Sequence, residues 1–461
     1  MYQIDFEKPI HIHFIGIGGI SMSGLAEILI EEGFTVSGSD SKESPLTDKL
    51  ASEGAVIHYG QKAENITDDI QCVVYTAAIN KSNPELAETV NRGIPMLTRA
   101  ELLGQLMKNY DTPIAVSGTH GKTTTTSMLS HILLAGDMDP TISVGGILKA
   151  IGGNIRVGAS ETFLTEACEY TNSFLHFFPK IGVILNIEED HMDFFKDIDD
   201  IRHSFRKFAE LLPSDGTLVI NGDIDNCEEI YKGLDCRVIT YGSSPDFDYS
   251  FSGITYDESG HVSFELMRNG KEAGHIALSV TGAHNASNAL ASIAVAELLG
   301  IPMDVIREGL RSFSGTDRRF EYKGEFNGVT VIDDYAHHPT EITATLTAAQ
   351  HYPHKKLWCV FQPHTYSRTK AFFHEFAEAL SHVDHLVLAD IYAARETDTL
   401  GMSSEALAKE TAKFGTDTHY FPSFEEIESF LKENCSSGDV VITMGAGDVV
   451  NVGEELLQSN A

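Results

Sequence analysis

The chain has 461 residues, 67 of them acidic and 33 basic, for a formal net charge of -34. That length predicts about three domains, and so acidic a balance argues against a nucleic-acid groove or an anionic membrane surface as the main partner. Cys72, Cys168, Cys227, Cys236, Cys359 and Cys435 show no C-x-x-C spacing, so neither a zinc knuckle nor a disulfide framework is expected. There is no basic-then-apolar leader and no apolar run near the roughly 20 residues that span a bilayer, so a cytoplasmic protein is expected.

Residues 10–108 alternate short apolar runs (His11 to Ile17, Phe34 to Ser39, Cys72 to Thr76) with helical periodicity, which predicts βαβ units on a parallel sheet. The first run breaks into Gly16-Ile-Gly-Gly-Ile-Ser-Met-Ser-Gly24 and opens a helix, the context of a diphosphate-binding turn. Asp40 ends the next run, where a ribose hydroxyl would be read. The third glycine of the G-x-G-x-x-G pattern falls on Ser21, so the close helix–strand packing is expected to be altered. A nicotinamide cofactor and a UDP-sugar present the same diphosphate, and glycines that only permit a tight turn are the plainer alternative.

A polar, Pro-containing break at 109–113 sets a boundary near residue 110. There follows Ala115-Val-Ser-Gly-Thr-His-Gly-Lys-Thr-Thr-Thr-Thr126, a strand, a glycine turn with a lysine, and a helix. Backbone N–H groups in such a turn converge on an anion, Lys122 adds a point charge, and the Thr123 hydroxyl suits the Mg²⁺ that accompanies ATP. The usual first glycine of this pattern is replaced by Val116, with Gly118 closer, which makes the loop a shortened variant. Glu166 closes an apolar run and His191 follows another, at the sheet edge where α/β proteins gather ligands, so both are placed to hold Mg²⁺ over phosphates.

From Tyr241 to Val280, alternating runs with turns at 257–260 and 268–270 predict antiparallel strands, and helices follow at 284–299 and 303–313. Asn285 and Asn288 fall on one helix face, where amides can read an adenine edge. After a linker at 312–317, strands near 329–333, 356–361, 384–389 and 439–444 alternate with helices. Clusters at 315–320, 333–339 and 361–368 gather Arg and His in an acidic protein and look like anion contacts, and 444–448 is either a backbone nest or a plain turn.

Together Gly118-Thr-His-Gly-Lys-Thr-Thr124, Glu166 with Glu169, Asn186-Ile-Glu-Glu-Asp-His191, His284-Asn-Ala-Ser-Asn288, Asp317-Arg-Arg-Phe320 and Asp334-Tyr-Ala-His-His-Pro339 resemble the Mur ligases of peptidoglycan synthesis, in order along nearly the whole chain. The resemblance implies an α/β, three-domain architecture: a Rossmann-like UDP-sugar domain at 1–109, a central P-loop ATPase-like domain at 110–314, and a C-terminal Rossmann-like domain at 315–461. The run His13 to Ala26 points to members that join L-alanine to the lactyl carboxylate of UDP-N-acetylmuramate through an acyl phosphate. By this resemblance Gly16, Gly18, Gly19, Ile20, Ser21 and Asp40 would bind the UDP-sugar, with Arg99 and the turn from Thr76 to Ile79. Gly118, Thr119, His120, Gly121, Lys122, Thr123 and Thr124 would hold ATP, joined by Asn288 at adenine and by Arg319 and Asp334. Lys122, Glu166 and His191 would be catalytic, with Thr123, Glu166 and His191 on Mg²⁺ or Mn²⁺. His337, His338, His364 and Arg368 would lie near L-alanine or the muramyl and phosphate groups.

Typical members carry glycine at Ser21 and often aspartate at Cys168, which is expected to pack rather than act. Some relatives use a carbamylated lysine, and the segment 201–206 has no lysine to supply one, so none is expected. The nearest rival reading is a ligase that recycles a murein tripeptide onto the same UDP-sugar. A nicotinamide oxidoreductase would leave Lys122, Glu166 and His191 without a role, and a silent UDP-sugar-binding protein predicts losses of phosphate or metal groups that this chain retains. A monomer or weak homodimer is expected.

Overall fold

A computed structural model of the chain describes residues 2–76, 79–80, 82–394, 396–397 and 400–458. The chain divides into two compact units, Met1–Ile187 with Asp199–Thr240 and Ala291–Gly309, and Glu188–Ile198 with Tyr241–Leu290 and Leu310–Ala461.

The first unit holds two sheets. β1 (His11–Ile15), β2 (Thr35–Asp40), β3 (Val56–Tyr59), β4 (Cys72–Tyr75) and β5 (Met96–Thr98) form a parallel sheet of order β3-β2-β1-β4-β5. The order reverses beside β1, the place where such sheets bind ligands at the strands' carboxyl ends, and the glycine turn leaves β1 there. The helix Pro84–Arg92 shows how local chemistry sets the elements. The Asn83 side chain accepts from the backbone of Glu85 and Leu86, Pro84 fills the first turn, and Gly93 ends the helix at φ 66°.

In the second sheet of this unit, β6 (Thr112–Ser117), β7 (Thr141–Leu148), β8 (Gly153–Arg156), β9 (Thr162–Ala167), β10 (Ile181–Ile184) and β11 (Thr217–Asn221) are ordered β11-β10-β6-β9-β7-β8, with only β8 antiparallel to its neighbour. β6 therefore has a strand on each side, and the ends of β9 and β10 flank the loop that follows it. The two sheets of this unit are keyed together. Gly24, on the helix Ile20–Glu31, lies so close to Ile155 of β8 that a Cβ at residue 24 would collide with it. The close approach on this helix is thus made at Gly24, against the second sheet, while Ser21 is exposed on the first helical turn.

β12 (Arg237–Gly242) carries the chain into the second unit, where β13 (Tyr249–Tyr256), β14 (His261–Arg268) and β15 (Lys271–Thr281) run antiparallel as the alternating pattern predicts. The turn between β14 and β15 places Asn269 and Gly270 at φ 48° and 70°, the geometry of a tight hairpin. β16 (Glu321–Phe326), β17 (Val329–Asp334), β18 (Leu357–Phe361), β19 (His385–Leu388), β20 (Asp417–Tyr420) and β21 (Val440–Met444) form a sheet of order β16-β17-β21-β18-β19-β20, parallel but for β16. Ile332, Cys359, Phe361, Leu386 and Ile442 pack on one face and Val331, Val360, Val387 and Val441 on the other. A sheet covered on both faces explains why its strands read as continuous apolar runs.

Candidate active site

The loop after β6 is a two-glycine turn. Gly118 (φ 148°) and Gly121 (φ 81°) carry the positive dihedrals, and a Cβ on residue 118 would stand 2.9 Å from the Leu185 Cβ. Val116 stays buried inside β6, so the shortened motif needs no earlier glycine. Gly121 precedes the helix Lys122–Ala135 with no side-chain cap, which leaves the helix N-terminus as a positive pole facing the loop.

Lys122 Nζ donates to the carbonyls of Gly118 (2.5 Å) and Thr119 (3.1 Å) and to Glu169 Oε2 (2.9 Å). Burial works against the lysine's charge, but Glu169, with Cys168 and Glu166 nearby, holds its ionisation above the ordinary lysine value. Glu166, at the end of β9, accepts from the Thr123 hydroxyl (3.1 Å) and from the backbone N–H of Gly145 in β7 (2.5 Å). On the other flank, the Asn186 amide clamps the loop, accepting from His120 N (2.8 Å) and donating to His120 O (3.1 Å). Cys168 is half-buried, and burial followed by the Glu169 charge pushes its thiol up, which disfavours the thiolate. Arg99 also acts on that thiol.

At the first sheet, the N–H groups of Gly16 and Ile17 donate to Ser39 O (2.8 and 3.0 Å), and Gly18 N donates to Asp40 Oδ2 (2.8 Å). Asp40 therefore braces the glycine loop directly. Ile20 is 57% exposed, and Gly19 is exposed beside it. Thr76 sits next to Gly16, whose added Cβ would lie 3.3 Å from the threonine methyl; residues 77 and 78 of the turn lie outside the described residues.

In the second unit, the basic groups come with their own acids. Arg368 bonds Asp190 Oδ1 (3.0 Å) and approaches His364 Nδ1 (3.2 Å). Burial would raise the Asp190 carboxyl, but Arg368, then His191, His338 and His337, hold it well below the usual carboxylate range. His191, at φ 55°, follows with Nε2 3.8 Å from Asp190 Oδ2. His338 caps the helix Pro339–Ala349 through Nδ1 and bonds Glu189 O through Nε2 (2.9 Å), which assigns the proton to Nε2. His337 is pushed down to about 4 by burial, against the pull of Glu341.

Asp334 accepts from the backbone of Phe320 (2.9 Å) and Ala336 (2.7 Å), and burial raises it to about 6 against the nearby Arg319. Arg319 lies 3.8 Å from Glu341, and burial with the Arg319 charge pushes His284 down to about 4. Of the two asparagines read as a matched pair, Asn285 bonds back to Thr281 O (2.7 Å) and accepts from Asn288 (2.9 Å), so the first serves the helix end and supports the second. The 444–448 stretch leads from β21 to the helix Val450–Gln458, and the carbonyls of Gly445 and Gly447 accept from Arg318 (2.8 and 3.2 Å).

Three family models tile the chain, described as the Mur ligase family catalytic domain (residues 11–111), the Mur ligase middle domain (116–296) and the Mur ligase glutamate ligase domain (318–447). A UDP-N-acetylmuramate–L-alanine ligase of Agathobacter rectalis is 64% identical over 458 residues, 99% of this chain and 100% of the relative. The chain belongs to the Mur ligase family. Among solved structures, the UDP-N-acetylmuramate–alanine ligase of Thermotoga maritima matches this Mur ligase with a TM-score of 0.80 and 28% identity, over 98% of this chain and 99% of the other. A murein peptide ligase of Psychrobacter arcticus shares the fold at a TM-score of 0.69 and 24% identity, over 98% of both chains.

Two further residues of this Mur ligase, within the motifs but not among the expected site residues, are Glu169 and Asn186. Each is the side chain that fixes a loop residue, Glu169 for Lys122 and Asn186 for His120. The available signal was position, since both lie just past the two strands that flank β6.

Proposed function

We propose that this ligase condenses UDP-N-acetylmuramate with L-alanine, using ATP to convert the lactyl carboxylate into an acyl phosphate that the alanine amine attacks, with ADP and phosphate released. The observation that carries it is the full-length identity of 64% to an L-alanine ligase, joined to a phosphate loop whose lysine is charged and oriented. A carboxylate is a poor acyl donor, and phosphoryl transfer gives it a leaving group. Lys122, pinned by Glu169 and two loop carbonyls, stabilises the moving γ-phosphoryl, and the helix pole at Gly121 helps to hold the phosphates. Gly16, Gly18, Gly19, Ile20, Ser21, Asp40, Thr76 and Arg99 form the UDP-sugar site, within a domain spanning 1–109.

A divalent ion fits the loop. Thr123 Oγ1 and Glu166 Oε2, 3.1 Å apart, are oxygen donors of the kind Mg²⁺ prefers. Thr123 and Glu166 would hold one ion and His191 a second, and the imidazole also suits Mn²⁺. When bound, the ion neutralises phosphate charge as the phosphoryl moves. Asn288 takes adenine, Asn285 orienting its amide, and Arg319 and Asp334 complete the nucleotide site. His337, His338, His364 and Arg368 face the amine and muramyl side, where Arg368 works as an Asp190-paired cation. The remaining domain bounds, 110–314 and 315–461, a cytoplasmic location and a monomer or weak homodimer belong to the same reading. Among the described residues no helix is long and apolar enough to cross a membrane.

Phosphate release from ATP with Mg²⁺ and UDP-N-acetylmuramate tests the reading, with L-alanine compared against L-alanyl-γ-D-glutamyl-meso-diaminopimelate. Release with L-alanine is expected, and release only with the tripeptide would overturn it in favour of a recycling ligase.

A further inference from the structure

Beneath the glycine loop lies a buried carboxylate that the proposed chemistry does not use. Glu85, on the first turn of the helix Pro84–Arg92, is 0% exposed. Its Oε2 accepts from the Ser39 hydroxyl (2.6 Å) and its Oε1 from the Asn65 amide (2.5 Å), while His13 Nε2 stands 3.8 Å away. A fully buried acid is costly unless paired. Burial would raise this one, yet His13, Ser39 and Asn65 together hold it below the ordinary glutamate value, so it is a carboxylate in the folded chain.

What Glu85 holds is the end of β2. Ser39 lends its hydroxyl to Glu85 and its carbonyl to the N–H groups of Gly16 and Ile17, and the next residue, Asp40, accepts from Gly18 N. Asn65, the other donor to Glu85, also bonds Gly60 O, and Gly60 N bonds Asp40 O. Both hydrogen bonds to the carboxylate therefore lead to residues 16–18 or to the strand end that braces them. Behind it runs a polar chain, with His13 Nδ1 at 2.9 Å from the Ser37 hydroxyl, His11 Nε2 at 2.8 Å from the same oxygen, and His11 Nδ1 at 2.8 Å from Asp69. The His58 ring centroid lies 6.4 Å from that of His13.

We propose that Glu85 is a positioning residue for the sugar-nucleotide site: through Ser39 and Asn65 it fixes the β2 end that shapes the Gly16–Gly18 loop, and so sets affinity for the diphosphate of the UDP-sugar without touching it. The proposal rests on the reading of that loop as the UDP-sugar site. Glutamine at residue 85 removes the charge, and with its Oε1 on Asn65 its N–H₂ faces Ser39, whose hydroxyl must turn from donor to acceptor, so two charge-assisted bonds become neutral ones and the loop's brace loosens.

The test is steady-state kinetics on the full chain with Glu85→Gln, Glu85→Asp and Ser39→Ala, together with calorimetric titration of UDP-N-acetylmuramate. Glu85→Gln is expected to raise the KM for the UDP-sugar about tenfold, leaving kcat and the KM for ATP within about twofold, a split that a merely less stable protein would not show. Glu85→Asp should recover part of the loss. Ser39→Ala removes the same hydrogen bond while leaving the acid in place, should raise the same KM, and should add little in the Glu85→Gln background. An unchanged KM for the UDP-sugar in Ser39→Ala and in folded Glu85→Gln overturns the proposal. Gly18→Val, which would drive a side chain to within 2.8 Å of Asp40 Oδ2, separates the two ideas: if it too leaves the KM unchanged, the loop is not the UDP-sugar site at all.

Discussion

Replacing Glu169 by Gln probes how the phosphate-loop lysine is kept charged. The two groups lie 2.9 Å apart, Lys122 Nζ to Glu169 Oε2, the carboxylate 2% exposed and the lysine side chain 16% exposed. Coulomb attraction across that 2.9 Å at an effective dielectric of ~20 is about 6 kcal/mol, and removing one member of a buried pair typically costs about 3–5 kcal/mol. At ~1.4 kcal/mol per pH unit, that brings the lysine down by about 2–4 pH units. The wild-type lysine, held above its ordinary value, stays cationic across the working range. In the variant the largest counterweight to burial is gone, so the active ammonium is present at low pH and lost as pH rises. The expected result is a new alkaline limb in the variant's pH–rate profile that the wild type lacks, with kcat/KM for ATP down about tenfold near pH 7.5 and falling about tenfold further per pH unit above the limb. Equilibrium titration of UDP-N-acetylmuramate should be unaffected. A kcat/KM within threefold of wild type and an unchanged profile would refute the argument that Glu169 sets the charge of Lys122.

Lys122→Ala should abolish phosphate release while calorimetry finds UDP-N-acetylmuramate binding nearly intact, and a matching loss of that affinity would contradict the separate placement of the two sites. Asn186→Ala removes both bonds to His120, at about 1–3 kcal/mol, and is expected to raise the KM for ATP about tenfold. Glu166→Gln should raise the Mg²⁺ concentration for half-maximal rate by about tenfold, read from metal titrations of turnover. Arg368→Ala takes from the buried Asp190 carboxylate its largest counter-charge and leaves it His191, His338 and His337. Because the native pairing depresses that carboxyl, its stabilisation is present above the unfolded value near 4 and lost as pH falls through the folded one. The melting temperature of the variant should therefore drop several degrees below wild type at pH 8 and much less near pH 4, where Asp190 of the variant takes up a proton.

What could be read from the chain was what is local. Strand, glycine turn, lysine and helix follow one another within residues 112–135, and the antiparallel ribbon after Tyr241 announces itself by alternation and by Asn269-Gly270. Pairings across the chain were not legible. That Arg368 pairs with Asp190 could not be foreseen, because the two are far apart in sequence and Asp190 carries no mark of its own. Asn285 and Asn288 looked equivalent because helical spacing cannot tell an amide that bonds back to Thr281 from one held by its neighbour. Likewise Ser21 drew attention as a missing glycine, since nothing near it reveals that β8 comes to lie against the following helical turn at Gly24.

The contact of Gly24 with Ile155 has a consequence for how such chains diverge. The hairpin of β7 and β8 that presses Ile155 against Gly24 also donates the Gly145 N–H to Glu166, so a bulkier residue at 24 would push the hairpin and shift the carboxylate with it. Overpacking of this kind costs about 1–3 kcal/mol unless the facing side chain shrinks. Drift at these two positions is therefore coupled. Among relatives, Gly24 should give way to alanine or larger only where residue 155 has become smaller, and an alignment in which the two vary independently would mean that the hairpin sits differently in those proteins.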